Sequence, residues 1–162
     1  MVAYSFQKRF VPPVLAGLEP GPWMPGMKRH TLRLPRSSGH AGPGGRVDLY
    51  TAMRTKHCRL LGRAPAILRM PIAVSFQGDD FNIWRRAGEA LIDGARGWAL
   101  FELIHAFALS EPGTYLSERA AESFARADGF EDLAAMRDFF AADRPDGDCQ
   151  LDMVLVAWAP PA

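Results

Sequence analysis

Lys28-Arg29-His30-Thr31-Leu32-Arg33 follows a Pro- and Gly-rich loop and opens a short alternating run, K-x-x-T-x-R. Successive side chains of a strand point to opposite faces. His30 and Leu32 then share a face with Lys28, and Thr31 shares the other with Arg29 and Arg33. Lys28 and Thr31 converge only if Lys28 lies in the turn entering the strand, with its long stem reaching back. A lysine beside a hydroxyl is either an anchor for a phosphate or a base, or half of a nucleophile–base pair.

Working outward, Ala3 to Phe10 alternates as a first strand, with Tyr4, Phe6 and Lys8 on one face. Pro12-Pro13 opens a short helix through Val14-Leu15-Ala16 that Gly17 ends. Leu18 to Met27, with three prolines and two glycines, is a loop. Trp23 and Met24 within it either pack down or form a flap over the site, and packing is the plainer expectation. Leu34 to Gly45 is a second loop, holding Arg36 and His40; a loop histidine is most simply solvated. Arg46 to Met53 reads as a strand, Arg54-Thr55-Lys56-His57 as a basic hairpin tip, and Cys58 to Gly62 as the return strand. Ala66 to Phe76 carries apolar residues at its even positions, and Pro71 implies an edge or a bulge.

Gln77 to Leu116 has no clean period. Trp98 to Leu109 within it predicts a helix with Leu100, Leu103, Ile104 and Phe107 inward. Ser117 caps a helix that Asp128-Gly129-Phe130 breaks, and Glu131 to Ala141 forms the next. Arg144 to Gln150 reads as a loop and Leu151 to Trp158 as the closing strand.

In order and chemistry, several segments together resemble the ASCH family of small PUA-like β-barrels, above all its phage and prophage members. They are Ala3–Phe10, Pro13–Gly17, the K-x-x-T-x-R string, Gly42-Pro43-Gly44, Leu49–Lys56, Cys58–Gly62 and Phe124–Phe130 with Met136 and Phe139-Phe140 behind. The likeness covers about 2–62 and 123–158 and is absent between about 77 and 116. It implies a single α+β domain over 1–162, a barrel of five to six strands with short flanking helices. The 77–116 stretch is then an insertion: a dimer element, a lid or, more plainly, core packing. Relatives carry a His-Ala-Arg-Pro-Gly-like string where this chain reads His40-Ala41-Gly42-Pro43-Gly44, so an arginine is missing.

The resemblance implies two functions of different class. The first is an RNA-, nucleotide- or modified-nucleobase-binding module whose basic cleft includes Arg29, Arg33, Tyr50, Arg54 and Lys56. The second is a small amide hydrolase acting on N4-acetylcytidine-like nucleosides. One ASCH branch is proposed to use a Thr nucleophile, a Lys base and an acid for that reaction; these fall on Thr31, Lys28 and Asp128. Relatives carry Glu at the acid position. Asp is one methylene shorter, and a misplacement of about 1 Å can cost on the order of a hundredfold in rate. Asp128-Gly129 is equally a helix-ending turn, so a purely structural Asp128 stands beside the catalytic one.

Composition fits either function. With 48% hydrophobic and 23% charged residues, the chain has the makeup of an ordinary globular domain. Two cysteines without metal-site spacing predict reduced thiols, no metal and no cofactor. The lack of a signal-like N-terminal core predicts a soluble, cytoplasmic protein without a membrane partner. Residues 1–81 carry twelve basic against four acidic side chains, a net of +8, and the remainder seven against fourteen, a net of −7. The basic half holds the motif, which suits a polyanion or phosphate partner, unless the halves interleave and neutralise one another.

Overall fold

The computed structural model describes residues 2–142 and 150–162. The chain is α+β. Its strands are β1 (Val2–Phe6), β2 (His30–Arg33), β3 (Arg46–Thr51), β4 (Arg59–Gln77), β5 (Asp80–Arg85), β6 (Leu91–Ile92) and β7 (Gln150–Trp158). Its α-helices are α1 (Val11–Gly17), α2 (Glu102–Ala108), α3 (Glu118–Ala127) and α4 (Leu133–Ala141).

β4 is the spine. The return strand and the apolar run after it, expected as separate pieces, form one strand of 19 residues. It pairs antiparallel with β3, β5, β6 and β7. Its even positions from Ala64 to Phe76 are all buried, as the period-2 pattern requires. Pro71 lies neither at an edge nor at the bulge, which falls between Ala66 and Leu68. It sits in the gap between the β6 and β5 ladders, where its carbonyl accepts from Arg86 N. A residue without an N–H fits that break.

The sheet runs β1-β3-β4-β7-β2, with β1 parallel to β3. It has seven strands rather than five or six, and strand pairing leaves the path open between β1 and β2. One side chain spans that gap: Arg33 Nη2 of β2 donates to Ser5 O of β1 at 2.8 Å.

The 77–116 segment belongs to the core. β5 continues the β4 hairpin, Leu116 N donates to Ile83 O, and Ile83, Ala99, Ile104 and Phe107 join the main apolar cluster. The helix expected from Trp98 starts only at Glu102, because Gly94–Ala99 winds as a 3₁₀ segment capped by Asp93 and Phe101 is extended. Trp23 packs down, stacking on Phe101 at 4.1 Å. Of the predicted Arg144–Gln150 loop, only Gln150 is among the described residues, and it begins β7. No helix among the described residues is long and apolar enough to cross a membrane.

Candidate functional site

Lys28 is placed by its backbone. Its N–H donates to Pro13 O at 2.8 Å, and a β-carbon at Gly17 would overlap the Lys28 carbonyl, so α1 packs onto this residue only because position 17 is glycine. Lys28 precedes β2, in the loop segment that leads into it, and its side chain is buried.

The ammonium meets the end of α3. Lys28 Nζ forms an ion pair with Asp128 Oδ1 and donates to the Asp128 carbonyl at 2.6 Å. Both residues are buried. A cation suits a helix C-terminus, where carbonyls lack intrahelical partners. The chain turns away at Gly129, whose φ is +96° and where a β-carbon would lie 2.8 Å from the Phe10 ring.

Burial sets the electrostatics. It holds Lys28 below the usual lysine range, with Asp128 partly opposing the shift. It also raises Asp128 above the usual carboxylate range, with Lys28 and Arg33 opposing. Desolvation thus draws the pair towards its uncharged form. His30 Nε2 lies 3.5 Å from the same Asp128 oxygen, is buried and makes no hydrogen bond among the described residues. Burial first, and the Lys28 charge second, keep His30 well below the ordinary histidine value.

Lys28, Thr31 and Asp128 line one cavity of about 180 Å³, together with Phe6, Phe10, Phe130, Phe139 and Phe140. Thr31 lines this cavity, and its hydroxyl makes no hydrogen bond among the described residues. Lys28 Nζ also stands 5.3 Å from the Phe10 ring centre and 5.7 Å from that of Phe6. An apolar cavity of roughly 150 Å³ takes one benzene. The space therefore suits a single ring, with a polar trio at one end and aromatic walls around it.

A wider cavity of about 480 Å³ adjoins it and shares Ser5, Leu32, Arg33, Phe139 and Phe140. Arg33 borders both, its guanidinium 4.9 Å from the Phe6 ring centre and 5.3 Å from that of Tyr4. Arg36, His40 and Arg54 line the wider space. His40 is not a solvated loop residue. Its Nε2 donates to Leu34 O at 2.9 Å and its Nδ1 accepts from Tyr4 OH at 3.0 Å, which leaves it no lone pair for base chemistry.

Three of the expected ligand-binding residues lie elsewhere. Arg29 is buried and donates to the carbonyls of Gly17, Glu19, Gly21 and Ala99, tying the loop after α1 to the 3₁₀ segment. Tyr50 sits in β3 and lines neither cavity, and Lys56 is exposed on the hairpin tip outside both. His30 and Arg36 join the site without having been assigned a role. The alternation does put His30 on the Lys28 face, and Arg36 is the one arginine of its loop.

A third cavity, of about 490 Å³, is acidic. It is lined by Asp79, Asp80, Glu118 and Glu122 with Arg137, and none of the predicted site residues borders it. Among the described residues no cluster of His, Cys, Asp or Glu could hold a metal ion. Comparison with models of known protein families, with curated proteins and with solved structures finds no match.

Proposed function

We propose that this protein recognises a single nucleobase, free or carried by a nucleotide or RNA, in the cavity walled by Lys28, Thr31 and Asp128. The observation that carries this reading is a one-ring cavity with aromatic walls and a buried donor–acceptor trio at one end. Aromatic faces accept any base by stacking, and a small set of fixed polar groups selects its edge. Lys28 and the Thr31 hydroxyl can donate to a ring carbonyl, and Asp128 can accept from an exocyclic amine. The fold is proposed to be an opened variant of the PUA-like barrel of ASCH proteins. The order of the motif segments supports that likeness, and so does the approach of β1 to β2 through Arg33 and Ser5.

The test is calorimetric titration with cytidine, N4-acetylcytidine, uridine and adenosine. A pyrimidine nucleoside should bind, and Thr31→Val should weaken it by about tenfold, the worth of one hydrogen bond left unmade. No binding of any nucleoside at millimolar concentration, or affinity indifferent to Thr31→Val, would overturn the reading.

A second reading, amide hydrolysis, is favoured by the unpartnered Thr31 hydroxyl beside a lysine whose proton affinity is reduced by burial. Thr31 Oγ1 would attack the acyl carbon of an N4-acylated cytosine while neutral Lys28 takes the hydroxyl proton. The C–N bond then breaks, the proton passes to the departing exocyclic amine, and an acyl ester remains on Thr31. Water hydrolyses that ester, releasing the carboxylic acid. Asp128 would act by orienting Lys28. Release of cytidine and acetate from N4-acetylcytidine, abolished by Thr31→Ala, is the expected result. Full retention of the acetyl group by wild type and Asp128→Glu alike would dismiss the hydrolase and leave the binding site.

A further inference from the structure

The wider cavity carries a requirement of its own. Arg33, Arg36 and Arg54 converge on it from β2, the loop after β2 and the β3–β4 hairpin, and among the described residues no aspartate or glutamate lines it. None of the three is within ion-pair distance of a carboxylate among the described residues. Arg33 feels the Asp128 charge favourably and that of Arg36 unfavourably, and an anion seated among the three guanidinium groups would relieve their repulsion.

Arg33 is held for such a role. One terminal nitrogen is fixed by Ser5 O, its guanidinium lies over Tyr4 and Phe6, and its buried Nε has no hydrogen-bond partner among the described residues. A buried N–H without an acceptor is costly, and a phosphate oxygen supplies one. Arg36 is braced by Nε donation to Gly39 O and lies 5.2 Å from the Tyr4 ring centre. Arg54 sits at a φ of +67°, a left-handed backbone that a side chain rarely adopts and that the tight hairpin turn imposes.

We infer that Arg33, Arg36 and Arg54 form a phosphate seat contiguous with the base cavity, and that the ligand class is a nucleotide rather than a free nucleoside. This rests on the nucleobase reading of the smaller cavity. The shared wall of Ser5, Leu32, Arg33, Phe139 and Phe140 makes the two spaces neighbours, so a ring in one leaves its sugar and phosphate facing the other. Lys56, which sequence pairs with Arg54, is outside the seat, and Arg36 takes that place.

The test compares cytidine 5′-monophosphate with cytidine, adds inorganic phosphate as a competitor, and includes a cytidine trinucleotide without terminal phosphates. The monophosphate should bind at least about tenfold more tightly than cytidine, the gain of charge-assisted hydrogen bonds. Inorganic phosphate should displace it. Arg36→Ala with Arg54→Ala, both exposed and removable without opening the core, should bring the affinity ratio towards one. Lys56→Ala should keep it, which separates a seat from a diffuse positive field. A trinucleotide gaining as much as the monophosphate would identify the phosphate as RNA backbone, and a smaller gain would identify a free mononucleotide; either result supports the seat. Equal affinity for cytidine and its monophosphate, or a ratio untouched by the double substitution, would overturn the seat while leaving the base cavity standing. Arginine-dependent phosphate binding without any nucleoside binding would do the reverse.

Discussion

Asp128 accepts from one buried cation and lies beside a buried imidazole, which makes it the residue with the most to lose. Asp128→Asn leaves the Lys28 ammonium buried without its counter-ion, a loss of about 3–5 kcal/mol on removing one partner of a buried pair. Chemical denaturation should show that loss, and Lys28→Met together with Asp128→Leu should recover much of it. Full stability of Asp128→Asn would mean the pair is not closed in solution. His30 supplies a pH dependence whose sign is fixed by its surroundings. Lys28 and Asp128 face it from one side and Phe124 from another, and its folded-state value lies well below the ordinary 6.5. Between those two values the unfolded chain binds a proton that the folded chain refuses. The His30 contribution is therefore full above pH 6.5 and falls as pH drops below it, by up to about 1.4 kcal/mol per pH unit, while Asp128, raised by burial, contributes with the opposite sign. His30→Gln should flatten that acid limb. His40, also lowered by burial, contributes with the same sign and leaves a remnant. Lys28 and Thr31 were legible as a pair because the motif places them three apart. The His30–Asp128 proximity was not, since it depends on where a helix a hundred residues later ends.

At the scale of elements, two glycines, Gly17 and Gly129, hold the site together by what they lack. Gly129 combines a φ of +96° with close approach to Phe10 and the Lys28 stem. Gly129→Ala should cost on the order of 1–3 kcal/mol of strain and displacement, and should weaken nucleoside binding more than Gly113→Ala. Gly113 has a similar φ of +90° but open space around it. Equal effects of the two substitutions on binding would show that the α3 terminus does not position Lys28. Several elements were readable from period and punctuation: the Pro-Pro helix, the Ser117-capped helix, the closing strand, and the first strand as far as Phe6, after which Lys8–Phe10 winds as a 3₁₀ turn instead of continuing the expected strand. The failures share a cause. Trp98–Phe101 has helical composition, yet Asp93 captures Ala95 N and Phe101 turns to stack on Trp23, so local capping and a long-range ring contact override propensity. Pro71 suggested an edge because a sequence does not show that the neighbouring ladder pauses there.

Over the whole molecule, charge is segregated into two separate cavities, one lined by Arg33, Arg36 and Arg54 of the basic half and one by carboxylates drawn from both halves, Asp79 and Asp80 with Glu118 and Glu122. The halves do not fully neutralise each other, and the arginine cavity opens beside the base site. Affinity for single-stranded RNA should therefore fall with salt, each lost phosphate contact reducing the logarithmic slope by about 0.7. Arg36→Ala with Arg54→Ala should flatten the slope, and Lys56→Ala should do less. Identical slopes for the wild type and the double variant would place RNA on some other surface. The basic bias was visible from counting; the convergence of Arg33, Arg36 and Arg54 was not, because it needs two loops to meet across a strand.

The most direct measurement of the central claim is a crystal structure of the chain with cytidine 5′-monophosphate. The pyrimidine should lie among Phe10, Phe130 and Phe139 with its polar edge on Lys28 and Thr31, and Asp128 should remain paired to Lys28. A nucleotide bound away from that cavity, or a cavity still empty at saturating nucleotide, would contradict the account.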